Sequence, residues 1–195
     1  KQARAPRALL MHALIVLATA TLAVAPMAPD QAMIGLLGLA LAHIVIDVIK
    51  SFAPSASLSA FLADQAAHVV TLAVMAHWFP GLYAGSLWSG LDWLPPVMII
   101  TAGLIVATQA GGYAIGMLVR PFGRAFRAEG LPRGGQLIGL LERGLIYILI
   151  LSGQPGSVGF LIAAKSVLRF DASKRRQKAA EYVIIGTLAS FGWAL

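Results

Sequence analysis

The sequence predicts an all-α protein, a polytopic bundle of transmembrane helices, from its composition and from the spacing of its apolar segments. Of its 195 residues, 58% are hydrophobic and 12% are charged, and the mean hydropathy is +0.80. An ordinary soluble domain has about 25% charged and about 45–50% apolar residues. These values exclude a soluble globular chain and a disordered one. Because a membrane-spanning helix needs about 20 apolar residues, we predict six or seven spans in a single transmembrane domain covering residues 1–195.

Turn-forming residues separate the predicted spans. Proline or glycine lies at the breaks, for example at Pro26, Pro54, Pro80 and Gly153. The predicted apolar segments are 8–25, 32–49, 57–78, 96–119, 135–151, 156–168 and 179–195. The sixth segment has about 13 residues, which is short for a full span, so the fifth and sixth segments could instead form a re-entrant hairpin.

Basic residues predict the orientation of the chain. All of its 15 lysines and arginines except Arg143 and Lys165 lie at one set of helix ends, and the alternate connections have none. Since Lys and Arg accumulate on the cytoplasmic side, we predict a cytoplasmic N-terminus. The net charge of +7 therefore reports orientation, and we expect no nucleic-acid partner. Cysteine is absent, which excludes disulfides, thiolate zinc sites and iron–sulfur clusters.

Ionisable residues inside the apolar segments mark a candidate site, because such residues are costly in a membrane. His43 and Asp47 are four residues apart in the second segment, and Asp64 and His68 are four apart in the third, in reversed order. Antiparallel packing of these two helices would bring His43 towards His68 and Asp47 towards Asp64. His12 lies at a similar depth in the first segment. We predict that these residues converge in the cytoplasmic half of the membrane.

Imidazole and carboxylate ligands in such a cluster suit a divalent cation, Zn²⁺, Mn²⁺ or Fe²⁺. The predicted metal ligands are His43, Asp47, Asp64 and His68. His12 would be a fifth ligand or a catalytic base, and Gln65 would support a ligand. Two other interpretations stay open: hydrogen bonds that hold the helices together, and a proton or cation relay.

A second group of ionisable residues lies in the last three segments. Its members are Glu142, Arg143, Lys165, Arg169 and Glu181. One interpretation is a buried ion-pair network, in which Lys165 pairs with Glu142, and Glu181 with Arg143. The other is a binding site for the phosphate of a lipid headgroup or a polyprenyl phosphate, with Arg143, Lys165 and Arg169 contacting the phosphate.

Five sequence segments are distinctive as a set. They are HIVIDVIK (43–50), LADQAAHVV (62–70), LLERGLIYILIL (140–151), GFLIAAKSVLRF (159–170) and AEYVIIGTLASF (180–191). Together they resemble a bacterial inner-membrane family, domain of unknown function 3307. The resemblance implies a multi-pass protein of the bacterial inner membrane and implies no activity. The family pattern starts with a further helix bearing His, Asp and Gln, and the chain begins with Lys1 rather than methionine, so we expect native sequence upstream.

The first half of the chain is also remotely similar to membrane-bound metal-dependent hydrolases with His-rich helices. With the predicted cluster, this similarity favours a metal-dependent hydrolase acting on a lipid or lipid-linked substrate at the cytoplasmic leaflet, whose metal would activate water. The alternative is a small transporter or ion relay, or a structural subunit of a larger membrane complex. The expected partners are membrane lipids and, in a homo-oligomer or membrane complex, other subunits.

Overall fold

A computed structural model of the chain is almost entirely helical. It describes residues 6–195 apart from 28, 55, 123–132 and 174–176. Helix accounts for 80% of the structure, and no strand occurs among the described residues. The prediction of an all-α protein is confirmed.

The helices begin and end close to the predicted apolar segments. They are α1 (Pro6–Val24), α2 (Pro29–Ser51), α3 (Leu58–Trp78), α4 (Leu94–Ile105), a π-helical turn (Val106–Ala110), α5 (Gly111–Val119), α6 (Gly134–Leu151), α7 (Gly156–Ser173) and α8 (Gln177–Ala194). The π turn joins α4 to α5 without a break in the chain of helical residues. The predicted segment 96–119 is therefore one continuous helix that contains a π turn near its middle.

Five helical segments in the described part of the chain are long and apolar enough to cross a membrane. They are Arg7–Val24, Ala32–Ser51, Leu58–Trp78, Leu94–Val119 and Gly134–Leu151. A shorter apolar segment, Gly156–Val167, forms most of α7. Helices suit a bilayer because they satisfy their backbone hydrogen bonds internally. The fold fits an integral membrane protein, and the number of spans and the side of the N-terminus stay predictions.

The chain divides into two compact units, Lys1–Val97 and Met98–Leu195. In the first unit, α1 packs against α2, and α2 packs against α3. The Ser57 hydroxyl caps the N-terminus of α3 by accepting a hydrogen bond from the backbone N–H of Ala60 at 3.2 Å. The single-domain organisation of the chain stays a prediction.

The aromatic-rich loop 79–93 packs against the turn between α1 and α2. The backbone N–H of Leu87 donates to the carbonyl of Ala25 at 2.9 Å. The indole N–H of Trp88 donates to the carbonyl of Leu22 at 3.1 Å. The loop therefore lies at the end of the first unit where α1 and α3 finish and α2 begins.

In the second unit, α8 packs against α5 and α6. Ile146, Val158, Phe191 and Ala194 form a buried cluster that joins α6, α7 and α8. Van der Waals packing of this kind holds helices together in a membrane, where burial from water contributes little. Gly153 connects α6 to α7 with φ of 71°, in the left-handed region that glycine adopts without strain.

Candidate metal centre

Three helices bring five His and Asp side chains of the first unit together. The members of this His/Asp cluster are His12 on α1, His43 and Asp47 on α2, and Asp64 and His68 on α3. Their donor atoms form two triads, each within 4.8 Å, and Asp47 belongs to both. The cluster lies at the end of the unit opposite the aromatic loop, because His12 is near the start of α1 and Asp47 near the end of α2. The structure thus brings together the four residues that helical spacing selects and His12, which its depth in the first segment selects.

The first triad consists of His12, His43 and Asp47. The Nε2 atoms of the two histidines are 3.1 Å apart, and each lies 3.4 Å from Oδ2 of Asp47. A tetrahedral zinc ion with bonds of about 2.0–2.1 Å holds its ligand atoms roughly 3.3–3.4 Å apart. The three donor atoms therefore fit one face of a tetrahedral metal site with only small adjustments. The His12 side chain is 54% exposed, so this face is open on one side.

The two carboxylate oxygens of Asp64 have different surroundings. Oδ2 accepts hydrogen bonds from the Lys50 ammonium and, at 2.9 Å, from the side-chain amide of Gln65. Oδ1 is buried and has no hydrogen-bond partner among the described residues. Lys50 and Gln65 therefore fix the carboxylate and leave Oδ1 as a free acceptor. Gln65 thus contacts Asp64, and its support of a metal ligand stays a prediction.

His68 presents a second free acceptor. Its Nδ1 lies 2.8 Å from the backbone carbonyl of Asp64, which can only accept, so Nδ1 carries the proton. In a neutral imidazole, Nε2 then has a lone pair and no proton. This Nε2 is buried and has no hydrogen-bond partner in the described part of the chain. A histidine whose other nitrogen donates to a carbonyl is oriented as metal-binding histidines usually are.

The three histidines form a row across the cluster. The ring centroids of His12 and His43 are 5.1 Å apart, and those of His43 and His68 are 4.5 Å apart. The row leads from the half-exposed His12 to the more buried His68, whose side chain is 23% exposed. It connects the two triads and is also the arrangement that a proton relay needs.

The second predicted group is only partly assembled in the second unit. The Lys165 ammonium donates to Oε2 of Glu142 at 2.5 Å, as expected. Arg143 has different partners from the predicted Glu181: it donates to Oγ of Ser190 at 3.1 Å and to the carbonyl of Thr108 at 2.9 Å. Arg143 is buried, whereas Glu181 is exposed. The side chain of Arg169 lies outside the described residues.

Sequence reasoning missed Lys50 as a member of the site. Its position after an apolar segment indicated only orientation, yet its ammonium pairs with the buried Asp64 carboxylate. The signal was present in the spacing, because Lys50 follows Asp47 by three residues and so lies on the same face of α2. A buried carboxylate also requires a cation nearby, and Lys50 is a basic residue on the neighbouring helix.

Comparison with known proteins relates part of the chain to a protein family. Residues 1–89 match a family described as protein of unknown function, DUF3307. No curated protein and no solved structure matches the chain. Segments 43–50 and 62–70 lie inside the match, and the three later segments of the predicted resemblance lie outside it. The resemblance is therefore confirmed for residues 1–89, which match DUF3307 and contain every member of the His/Asp cluster.

Proposed function

We propose that the protein is a metal-dependent membrane hydrolase whose His/Asp cluster binds a divalent cation. The observation that carries this proposal is the pair of buried acceptors, Oδ1 of Asp64 and Nε2 of His68. Two acceptors cannot satisfy each other, and a buried acceptor without a partner costs about 1–3 kcal/mol. A cation next to both atoms removes that cost. It also balances the carboxylate of Asp47 in a low dielectric.

The donor set supports a borderline metal. Imidazole nitrogens and carboxylate oxygens together suit Zn²⁺, Mn²⁺ or Fe²⁺ better than Mg²⁺ or Ca²⁺, which prefer oxygen ligands alone. The 3.1–3.4 Å triangle of His12, His43 and Asp47 favours Zn²⁺ among the three. Because Asp47 belongs to both triads, its carboxylate can contact a metal at either one.

The open side of the first triad supports a catalytic role over a purely structural one. Structural zinc sites have four protein ligands, whereas catalytic sites have three and leave a position for water or substrate. His12, His43 and Asp47 are three ligands, and the exposed His12 leaves access from outside. A bound metal would supply activated water by lowering the pKa of that water towards about 7. In this scheme His12 is either a ligand or the base that accepts the proton.

The surroundings of His12 support an amphiphilic substrate. Leu10 and Met11, next to it on α1, are 61% and 63% exposed. In a membrane-spanning helix such side chains face lipid, so we infer that the exposed His12 is reached from the lipid phase, which suits a lipid or a lipid-linked substrate. The basic residues near this end of the unit, Lys50 among them, support placement at the cytoplasmic leaflet.

Metal analysis of the purified chain tests the site. After loading with Zn²⁺ and removal of the excess, we expect close to stoichiometric metal in the wild type. Each of the His43→Ala and His68→Ala variants should hold less metal than the wild type, because the first substitution removes a ligand of the first triad and the second a ligand of the second triad. His77→Ala is the matched control, because His77 is exposed at the far end of α3 and should leave the metal content unchanged. Equal metal in all four proteins, or none in the folded wild type, would overturn the proposed centre.

Hydrolysis is tested separately with fluorogenic lipid esters and lipid phosphates in mixed micelles. We expect cleavage that a chelator abolishes and that added Zn²⁺, Mn²⁺ or Fe²⁺ restores. Cleavage should be lost in His43→Ala and retained in His77→Ala. A metal-loaded chain that cleaves none of these lipids would leave the metal centre standing and refute the hydrolase.

The row of imidazoles favours a second candidate, a proton or cation relay. Ring separations of 5.1 and 4.5 Å allow proton transfer between neighbours through small movements or a bridging water. Proteoliposomes containing a pH-sensitive dye distinguish the two functions. A relay predicts proton flux without added metal that disappears in His43→Ala, whereas the hydrolase predicts no such flux.

A further inference from the structure

We propose that the second unit contains a binding site for a phosphate group, with Arg143 at its base. The proposal rests on residues of α5, α6, α7 and α8 and of the π turn. It is independent of the proposed hydrolase and of the His/Asp cluster.

Arg143 is a buried cation with no carboxylate among its hydrogen-bond partners in the described part of the chain. It is 4% exposed, and its two hydrogen bonds go to neutral acceptors, Oγ of Ser190 and the carbonyl of Thr108. Its Nε–H is buried without a hydrogen-bond partner among the described residues. The adjacent Glu142 is bound to Lys165. Since a buried unpaired charge is costly, an anion bound at Arg143 would supply the missing partner.

The backbone is shaped around this guanidinium by three glycines. A Cβ atom at Gly111 would lie 3.0 Å from Cδ of Arg143, one at Gly112 3.1 Å from Nη2, and one at Gly139 3.0 Å from Nη1. Such distances are closer than ordinary contacts, so larger residues would displace the side chain. The absence of side chains at these positions lets Arg143 lie between α5 and α6 with its Nε–H free. The three glycines therefore leave the space that the Arg143 side chain occupies.

A cavity of about 1010 Å³ adjoins Arg143. The basic residues that line it are Arg120, Arg133, Arg143 and Lys165, and the acidic residue among the described lining residues is Glu142. Because Lys165 pairs with Glu142, no carboxylate among the described lining residues forms an ion pair with the three arginines. Arg120 and Arg133 lie at the ends of α5 and α6, so the cavity extends from the buried Arg143 to the ends of these helices.

The chemistry of the cavity points to a phosphate ester. A guanidinium offers a planar edge of N–H donors that matches two oxygens of a phosphate, and further arginines stabilise its remaining charge. The volume exceeds that of a phosphate alone and leaves room for an attached organic group. Apolar lining residues such as Ile115, Val119 and Leu140 provide a surface for the apolar part of a lipid. Free phosphate and the headgroup of an anionic phospholipid both carry phosphate oxygens that the arginines would bind, so both are candidate ligands.

Binding is tested with the whole chain in phosphatidylcholine proteoliposomes. Spin-labelled phosphatidylglycerol is the lipid probe, spin-labelled phosphatidylcholine is the neutral comparison, and inorganic phosphate is the soluble probe. We expect immobilisation of the anionic lipid above that of the neutral one, or saturable binding of inorganic phosphate. The first result identifies a lipid headgroup as the source of the phosphate, and the second a soluble phosphate. No preference for phosphatidylglycerol together with no phosphate binding would overturn the proposal.

Substitutions locate the binding at Arg143. Arg143→Gln should weaken binding about tenfold to a hundredfold, as expected for the loss of a hydrogen bond between charged groups. Arg7→Gln removes an exposed cation from α1 and is the matched control, with unchanged binding expected. If Arg143→Gln does not fold, the exposed Arg120→Gln and Arg133→Gln variants replace it, each with a severalfold loss expected. Binding by the folded variants that equals that of Arg7→Gln would refute the site.

Discussion

At the scale of single residues, Asp64 determines how the candidate metal centre is held. Its carboxylate is 3% exposed, and its charge is balanced by Lys50, whose side chain is 42% exposed. One carboxylate oxygen is engaged by Lys50 and Gln65, and the other is free. The ion pair therefore holds Oδ1 of Asp64, a predicted metal ligand, in place. Because Asp64 is buried and Lys50 is half-exposed, removing one partner should change the free energy of unfolding more than removing the other.

This inequality gives a prediction for the metal-free protein. Lys50→Met should destabilise the fold by about 1–3 kcal/mol, because it leaves a buried carboxylate without its cation. Asp64→Asn should cost less, because a half-exposed lysine can turn its ammonium towards water or lipid headgroups. Unfolding in a denaturing detergent measures both variants, and Lys50→Arg is the charge-preserving control.

Added metal provides the complementary measurement. Zn²⁺ should recover much of the stability of Lys50→Met, because the cation replaces the lost charge next to Asp64. It should not recover that of Asp64→Asn, which lacks a negatively charged ligand. A larger loss for Asp64→Asn than for Lys50→Met would show that Lys50 is not the main partner of the buried charge.

The sequence predicted the members of the His/Asp cluster but not all of their partners. Spacing of four residues places His43 with Asp47, and Asp64 with His68, on single helix faces, and the structure agrees. Partners on other helices depend on rotation and on helix-to-helix distance, which spacing does not contain. For this reason the pair of Lys165 and Glu142 was predictable from depth, whereas the bonds of Arg143 to uncharged groups were not.

At the scale of elements, the π turn depends on tertiary contacts. The carbonyl of Val106 accepts from the indole N–H of Trp193 at 3.1 Å, and that of Thr108 accepts from Arg143 at 2.9 Å. A π turn changes the regular pattern of backbone hydrogen bonds, and these side chains of α8 and α6 bond to carbonyls within the turn. The sequence of residues 96–119 predicts one uninterrupted apolar helix. The π turn is not predictable from this segment, because the side chains that bond to its carbonyls lie more than thirty residues away in the sequence.

The glycines of α5 give a prediction with an internal control. A Cβ atom at Gly111 would lie 2.6 Å from Cδ1 of Trp193, so Gly111→Ala should destabilise the fold by about 1–3 kcal/mol through overpacking. Gly116, in the same helix, has no atom within 4 Å of such a Cβ. Gly116→Ala should be neutral or stabilise the helix by up to about 1 kcal/mol. Thermal unfolding in detergent compares them, and equal effects would argue against the close approach at Gly111.

The contact between α6 and α7 gives a further prediction. Glu142 and Lys165 are 13% and 14% exposed and pair at 2.5 Å. Glu142→Gln and Lys165→Met should each destabilise the protein by stranding one charge, and the double variant should cost less than the sum of the two. Unfolding of the four proteins gives the coupling energy, for which we expect about 1–3 kcal/mol. Additive effects would indicate that the two charges are each stabilised by other groups.

At the scale of the whole molecule, the family match and the division of the fold nearly coincide. The match covers residues 1–89, and the first unit covers Lys1–Val97. The His/Asp cluster belongs to this matched unit, and Arg143 belongs to the second. The two proposed sites are therefore carried by different units and can be altered separately, which is why substitutions in one serve as controls for the other.

The orientation of the chain gives the last prediction, and it rests on the distribution of basic residues. Lys50 and the basic residues of 120–133 and 169–178 flank the predicted apolar segments on the side predicted to face the cytoplasm, whereas 79–95 has no basic residue. Positive charge resists transfer across the membrane during insertion, so the loops that have none should be the translocated ones. A reporter placed within 84–92 should therefore be periplasmic, and one placed within 124–132 should be cytoplasmic. Alkaline phosphatase is active only outside the cytoplasm, and green fluorescent protein exported unfolded is dark, so the two fusions give opposite signals at each position.

Because α3 connects the aromatic loop to the end that holds Asp64, a periplasmic signal at 84–92 would place the His/Asp cluster in the inner half of the membrane. A cytoplasmic signal there would reverse the orientation of the first unit and contradict a substrate in the inner leaflet.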